Sequence, residues 1–349
     1  MKPSNLTSFI NNKVKEGKIL TEIELFLSDE NFIENFIAKG KVSNFKAEII
    51  KNITLEKTNF NFFADNTDIL FKNIFGETGF IKIEEGDLKI DLSSGLYLES
   101  NFKSLLNFDK KIENHKNLIK KLPLSEDISN FDANLNNIFS ITLDKTYKLK
   151  NYNYKSNGKI SKLSLGLKKS YSNDFLDEAI NKLSIVDSDL RVSLNLDEKI
   201  TSVDGKYSLN ESDYQLFTLK NNIENNVVNL KFNADYDKHL YFELINYEKP
   251  EGTTANLNFE LIKNKQNINI KKINFSEGKN ILLIDNVKFK NKKFLSLQKI
   301  KIKTHKLDKI NNDFSVNYGK KISISGNIFD ARNLPKILNR ENKKNILNN

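Results

Sequence analysis

Alternation of apolar and polar residues with a period of two runs through most of the chain and leaves few folds open. Leu190, Val192, Leu194 and Leu196 alternate with Asp189, Arg191, Ser193 and Asn195. That puts four aliphatic side chains on one face of a strand and polar groups on the other. The same pattern marks Leu163, Leu165 and Leu167; Val228, Leu230, Phe232 and Ala234; Leu240, Phe242 and Leu244; and Leu257, Phe259 and Leu261. It continues at Ile268 with Ile270, Val287 with Phe289, Ile300 with Ile302, Phe314 with Val316 and Tyr318, and Ile322 with Ile324. Upstream it is present at Ile81 with Ile83 and at Leu88, Ile90 and Leu92. Asn157-Gly158, Glu85-Gly86, Asp204-Gly205, Glu277-Gly278 and Tyr318-Gly319 read as turns between strands. Long crossover helices are missing after Ile180, which argues against parallel βαβ units. The expected fold is mainly β: an antiparallel sheet of many strands, with a Leu/Ile/Val/Phe face and a Lys/Asn/Asp/Ser face.

Three stretches predict short helices. Lys103 to Leu122 is stopped by Pro123, Asn173 to Leu183 places Phe175, Leu176, Ala179, Ile180 and Leu183 on one stripe, and Leu334 to Leu338 carries Pro335 in its first turn. The two inner ones, which sit between β runs, read as covers or plugs of the sheet. Residues 1–349 are therefore expected to form one continuous β region, with a subdivision into 1–125 and 126–349. A Gly-led strand opening recurs at Gly40, Gly158 and Gly205 without a strict period, so the repeating unit is a strand pair.

Composition narrows the function. The 349 residues include 25 Phe and 11 Tyr, which supply core area that a disordered chain lacks. With no Cys there is no disulfide framework, thiolate metal site or thiol nucleophile. The 55 basic residues against 45 acidic give a net charge of +10, which invites a nucleic-acid reading. Yet Arg occurs only at Arg191, Arg332 and Arg340, leaving no set of guanidinium forks for base readout. Lys299, Lys301 and Lys303 alternate with Ile300 and Ile302, as on a solvated outer face. The abundance of Lys, Asn and Ile is that of an AT-rich coding sequence, and no nucleic-acid partner is expected. No apolar run reaches the length of a signal peptide or a membrane span; if the chain works in the envelope, its signal or anchor is expected upstream.

Catalytic chemistry finds no support. His115, His239 and His305 are scattered without HExxH or His-x-His spacing, and neither GxSxG nor a phosphate-cradling glycine motif is present. Asp187 with Asp189, and Asp235 with Asp237, read as turn residues at strand boundaries rather than calcium ligands. No enzyme activity, metal or cofactor is expected.

An antiparallel sheet apolar on one side must cover that side with a second sheet, with helices or with an apolar ligand. The predicted helices cover only part of it, which leaves either a closed sandwich or an open trough for acyl chains. Three stretches bear on this choice. Phe36-Ile37-Ala38-Lys39-Gly40-Lys41-Val42-Ser43-Asn44-Phe45 resembles the strand openings of the AsmA-like superfamily, of the TamB and YhdP type. Ile69 to Leu92, ending in Ile83-Glu84-Glu85-Gly86-Asp87-Leu88-Lys89-Ile90-Asp91-Leu92, is similar to the short ladders of that family. Ile324-Ser325-Gly326-Asn327-Ile328-Phe329-Asp330-Ala331-Arg332-Asn333-Leu334 resembles the element at which such modules close before a helix.

The resemblance implies an elongated, curved antiparallel sheet forming a hydrophobic groove, a β-taco. It also implies a periplasmic protein that is tethered to the inner membrane by an N-terminal anchor and moves phospholipids towards the outer membrane, with no catalytic residues. The chain departs from that pattern in lacking the anchor and the terminal module. On this reading Leu163, Leu165, Leu190, Val192, Leu194, Leu196, Leu230, Phe232, Leu257 and Phe259 line one groove, and phospholipid or another acyl lipid is the partner. The other reading is a structural or adhesive β-protein with a closed sandwich core.

Overall fold

The computed structural model describes residues 12–30, 32–50, 53–93, 95–112, 127–144, 146, 148–319 and 321–339. It is mainly β, with 18 strands in one antiparallel sheet and two more in a small separate sheet. In chain order the strands are β1 (Val14–Leu27), β2 (Ile33–Ile50), β3 (Ile53–Ala64), β4 (Asp68–Thr78), β5 (Ile81–Asp91), β6 (Leu96–Asp109), β7 (Ile128–Leu143), β8 (Leu149–Tyr171), β9 (Ile180–Asn195) and β10 (Glu198–Leu209). They continue as β11 (Gln215–Glu224), β12 (Val227–Tyr236), β13 (Leu240–Phe242), β14 (Tyr247–Lys249), β15 (Ala255–Asn264), β16 (Asn267–Glu277), β17 (Asn280–Lys290), β18 (Lys293–Lys306), β19 (Lys309–Tyr318) and β20 (Ile322–Ile328). Where a register is defined, each strand pairs antiparallel with its successor, except that β12 skips the β13–β14 hairpin and pairs with β15. A meander of this kind needs no crossover helices, and none is present among the described residues.

The chain divides into two compact units, Met1–Gly166 with Ser184–Lys199, and Leu167–Leu183 with Ile200–Asn349. In the first unit the inward rows are not purely aliphatic. Phe102, Asn137 and Ser156 face one another across β6, β7 and β8, and the next row is Ser104, Leu135 and Gly158. Ser100, Ser104, Asn137 and Ser156 are all buried. Several of these polar groups are satisfied within the sheet: Asn137 Nδ2 donates to Ser104 Oγ at 2.9 Å, Tyr154 Oη donates to Asn137 Oδ1 at 2.8 Å, and Ser100 Oγ donates to the Asp87 carbonyl at 2.7 Å. Bonding of this kind lets small polar residues occupy an inner face without a large desolvation cost. Asn44, Lys57 and Asn73 hold left-handed φ values of 51°, 49° and 54° inside β2, β3 and β4. Each adjoins an irregular stretch of pairing, as a bulge requires.

In the second unit the apolar face is built row by row. Leu219, Phe232, Phe259, Ile273, Ile284, Ile300, Val316 and Ile324 are successive cross-strand partners from β11 to β20. The neighbouring row runs Phe217, Ala234, Leu257, Phe275, Leu282, Ile302 and Phe314. On the opposite face Lys220, Lys231, Glu260, Lys272, Asp285, Lys299 and Asn317 form the matching polar row. The split predicted from parity is therefore present in the register itself.

The structure corrects several local expectations. Residues 103–109 belong to β6, paired with β7 throughout and with β5 as far as Leu106, so their backbone is satisfied by the ladder and not by a helix; residues 113–122 of the expected helix lie outside those described. Residues 173–179 are irregular. Asn173 Oδ1 accepts from Phe175 N at 3.0 Å, and the Phe175 carbonyl accepts from Tyr241 N at 3.3 Å, which diverts both from a helical ladder. The expected C-terminal helix is present over 334–339. Glu85-Gly86, Asn157-Gly158 and Asp204-Gly205 are not turns but lie inside β5, β8 and β10. At Gly158 a Cβ would sit 2.0 Å from the Asn134 carbonyl oxygen and 2.9 Å from Leu135 Cα, so glycine there admits a neighbouring strand. Glu277-Gly278 and Tyr318-Gly319 do close strands.

Candidate functional site

The site lies in the second unit, where the connection between β12 and β15 turns back over the apolar face. Residues 237–254 break the alternation. They form β13, a single 3₁₀ turn at Glu243–Ile245 and β14, and the turn ends at Asn246 in the left-handed region, with φ 46°. Leu240, Ile245 and Tyr247 from this segment pack on Ala255, Phe275 and Ile302 of the sheet. Leu244, expected on a strand with Leu240 and Phe242, instead points outward at 52% exposure. Phe242 stacks on Phe175 (5.5 Å between ring centroids) and on Tyr247 (6.2 Å), and meets Phe275 edge-on at 6.2 Å. Contacts of this geometry add to area burial.

Polar groups hold the segment in place. Lys249 is fully buried, and its Nζ donates to the carbonyls of Asp237 and Lys238, both at 2.9 Å, and Pro250 at 3.0 Å. Burial draws its ammonium below the ordinary lysine value, against the pull of Asp237, Glu277 and Glu251. Asn312 on β19, also fully buried, donates to the Ile245 carbonyl and to Thr304 Oγ1 and accepts from Asp330 N. Asp330 in turn accepts from Arg332 and from Asn246, and the Arg332 bonds hold its carboxyl far below the usual carboxylate range.

Beside this crossing segment lies an apolar pocket of about 320 Å³, walled by Phe175, Leu176, Ile180, Leu240, Phe242, Leu257, Ile273, Phe275, Leu282 and Ile284, with Tyr171, Asn173 and Tyr236 completing it. Burial pushes the Tyr236 phenol up to about 12, so it stays neutral at any physiological pH. No nucleophile–base pair accompanies this apolar wall, and what it can do is exclude water and bind hydrocarbon.

Of the ten sequence-derived groove candidates, Leu257 lines the pocket. Phe259 and Phe232 are cross-strand partners one row along, and Leu230 and Leu261 form the row after that; all are half-buried. Leu163 and Leu165 lie on β8 opposite Phe131 and Ile128. Leu190, Val192 and Leu194 are half-buried along β9, whereas Leu196 at its end is 52% exposed. Of the other apolar pocket residues, Ile273, Phe275, Leu282 and Ile284 escaped the sequence reading, while Leu240 and Phe242 were read on a strand and Phe175, Leu176 and Ile180 on a helix without being placed in the groove. Their signal was present in part. The register between β15 and β16 slips after Glu260–Lys272, and Asn286 sits at φ 51° within β17. Such irregularities switch the parity of the apolar positions between Ile270 and Ile273 and between Ile284 and Val287.

Among the described residues no three His, Asp or Glu side chains are placed to hold a metal, and no helix is long and apolar enough to cross a membrane. No family model, curated protein or solved structure matches the chain.

Proposed function

We propose that this chain is a non-enzymatic lipid-binding module that carries acyl chains along the apolar face of its sheet. The observation that carries this reading is the apolar row from Leu219 to Ile324 across eight strands, with a 320 Å³ pocket opening onto its neighbour. The crossing segment covers part of this face, the row from Leu219 to Val316 stays half-buried and Ile324 is exposed, and a contiguous apolar surface left partly open to water is an interaction site. The AsmA-like resemblance adds the setting: a bacterial envelope, phospholipid as cargo, and transfer between inner and outer membrane.

The test is mass spectrometry of an organic extract of the purified full chain. Phospholipid or another acyl lipid should be recovered in amounts comparable with the protein. A folded preparation that yields none would favour the second reading, a structural or adhesive β-protein with a sealed core. One observation supports that alternative, since the crossing segment already covers the face around Phe275 and Ile302.

A further inference from the structure

Adjoining the apolar pocket is a polar cleft of about 410 Å³ that shares Leu176, Ile180 and Tyr236 with it and is otherwise lined by Asp177, Glu178, Leu209, Asn210, Lys238, His239 and Glu251. The charged groups come from two segments, Asp177 and Glu178 from the irregular stretch before β9, and Lys238, His239 and Glu251 from the crossing segment. Lys238 Nζ is 3.3 Å from Glu251 Oε1, and His239 Nδ1 is 2.7 Å from Asp177 Oδ2. Glu178 has no ion-pair partner among the described residues. The cleft therefore stays net negative whether or not the imidazole carries a proton. Asp177, Glu178 and Glu251 are exposed at the mouth of the cleft, so their pull on a cation is that of solvated charges, modest and sensitive to salt.

We infer that this cleft takes the positively charged end of an amphiphile whose hydrocarbon chain fills the adjoining pocket. The ligand class is a primary ammonium joined to an alkyl chain, whether a simple alkylamine or an aminophospholipid. The inference rests on the acyl-binding reading above and adds the headgroup. Size agrees: an apolar cavity of about 150 Å³ accepts benzene, so a pocket of 320 Å³ has room for a chain of roughly twice as many carbons. Glu178 is the group expected to meet the ammonium. Anionic heads would face the carboxylates of Asp177, Glu178 and Glu251, and like-charge contact is the means by which a site rejects the wrong ligand.

Isothermal titration of the full chain with dodecylammonium, dodecyl sulfate and dodecyl maltoside, each below its micellar concentration, tests this. Dodecylammonium should bind about tenfold or more tighter than dodecyl sulfate, with the neutral maltoside between them. The ratio should fall as salt is raised, since screening acts on the charge contribution alone. Glu178→Gln should reduce the cation preference, read as the ratio of dodecylammonium to dodecyl sulfate affinity, several-fold. Equal binding of cation and anion, or an unchanged ratio in Glu178→Gln, would overturn the headgroup assignment while the chain-binding reading stands. Failure of all three to bind would overturn both. A parallel titration with short-chain phosphatidylethanolamine against the matching phosphatidylglycerol distinguishes an aminophospholipid from a simple amine.

Discussion

The side-chain amide of Asn312 on β19 donates to the backbone carbonyl of Ile245, 2.7 Å away and 67 residues earlier in the chain. The same side chain donates to Thr304 Oγ1 at 2.8 Å and accepts from the backbone N–H of Asp330 at 2.9 Å. One buried amide thus ties the crossing segment, β18 and the C-terminal segment together. Asn312→Ala should cost about 2–4 kcal/mol, because it leaves buried donors and acceptors unpaired rather than replacing them. Chemical denaturation measures this, and hydrogen exchange should show lost protection at residues 243–247. A loss below about 0.5 kcal/mol would mean that water repairs the contact.

Lys249 is the second anchor. Lys249→Met keeps most of the side chain's length but removes the donors to the Asp237, Lys238 and Pro250 carbonyls, so a destabilisation of about 2–3 kcal/mol is expected. A gain in stability would show that the apolar replacement outweighs the lost bonds, as it does for some buried charges.

Gly158 and Gly166 make a matched pair on β8. A Cβ at Gly158 would lie 2.0 Å from the Asn134 carbonyl oxygen, whereas nothing stands within 4 Å of one at Gly166. Gly158→Ala should destabilise by about 1–3 kcal/mol or more through forced strand separation. Gly166→Ala should be neutral or slightly stabilising through reduced freedom of the unfolded chain. Comparing the two melting curves checks both.

His239 links the irregular segment 172–179 to β14, with Nδ1 2.7 Å from Asp177 Oδ2 and Nε2 3.3 Å from Glu248 Oε1. Desolvation lowers its pKa, but the two carboxylates more than offset this and the net shift is upward from 6.5. A raised histidine pKa contributes stability that is fully present below the unfolded value and is lost as pH rises through the folded one. The segment should therefore be held more firmly at pH 6 than at pH 8. Hydrogen exchange at residues 174–179, corrected for intrinsic rates, should become less protected across that interval in the natural chain and stay flat in His239→Gln.

Leu257→Trp adds bulk inside the pocket without introducing charge. Binding of dodecyl maltoside should fall at least tenfold, with the circular dichroism spectrum unchanged. Unchanged affinity would place the binding surface elsewhere on the sheet.

Strand parity was legible wherever it persisted: Phe232 and Phe259 share an apolar row, and Lys299 lies between Asp285 and Asn317 in a polar row on the other face, as alternation predicts. It became illegible at the β16 irregularity and at Asn286, where parity changes and Ile273 and Ile284 join the apolar face from positions that a strict alternation assigns outward. Runs such as Leu105-Leu106 and Phe175-Leu176 suit a helix as well as an extended chain, and local propensity cannot choose between them. Pairing with β5 and β7 settled the first, and the contact of Phe175 with Phe242 and Tyr241 the second.

By itself, the sequence determined a mainly β, cysteine-free chain whose strands alternate apolar and polar positions, because side-chain direction in a strand depends only on residue parity. Tertiary structure alone decided that residues 237–254 cross the apolar face, that Asn312 and Lys249 are buried to hold them there, and that Leu257 borders a pocket while Leu244 faces water. Those outcomes depend on carbonyls and side chains brought together from distant parts of the chain, such as Ile245 with Asn312 and Tyr241 with Asn333. Periodicity carries no record of such long-range partners.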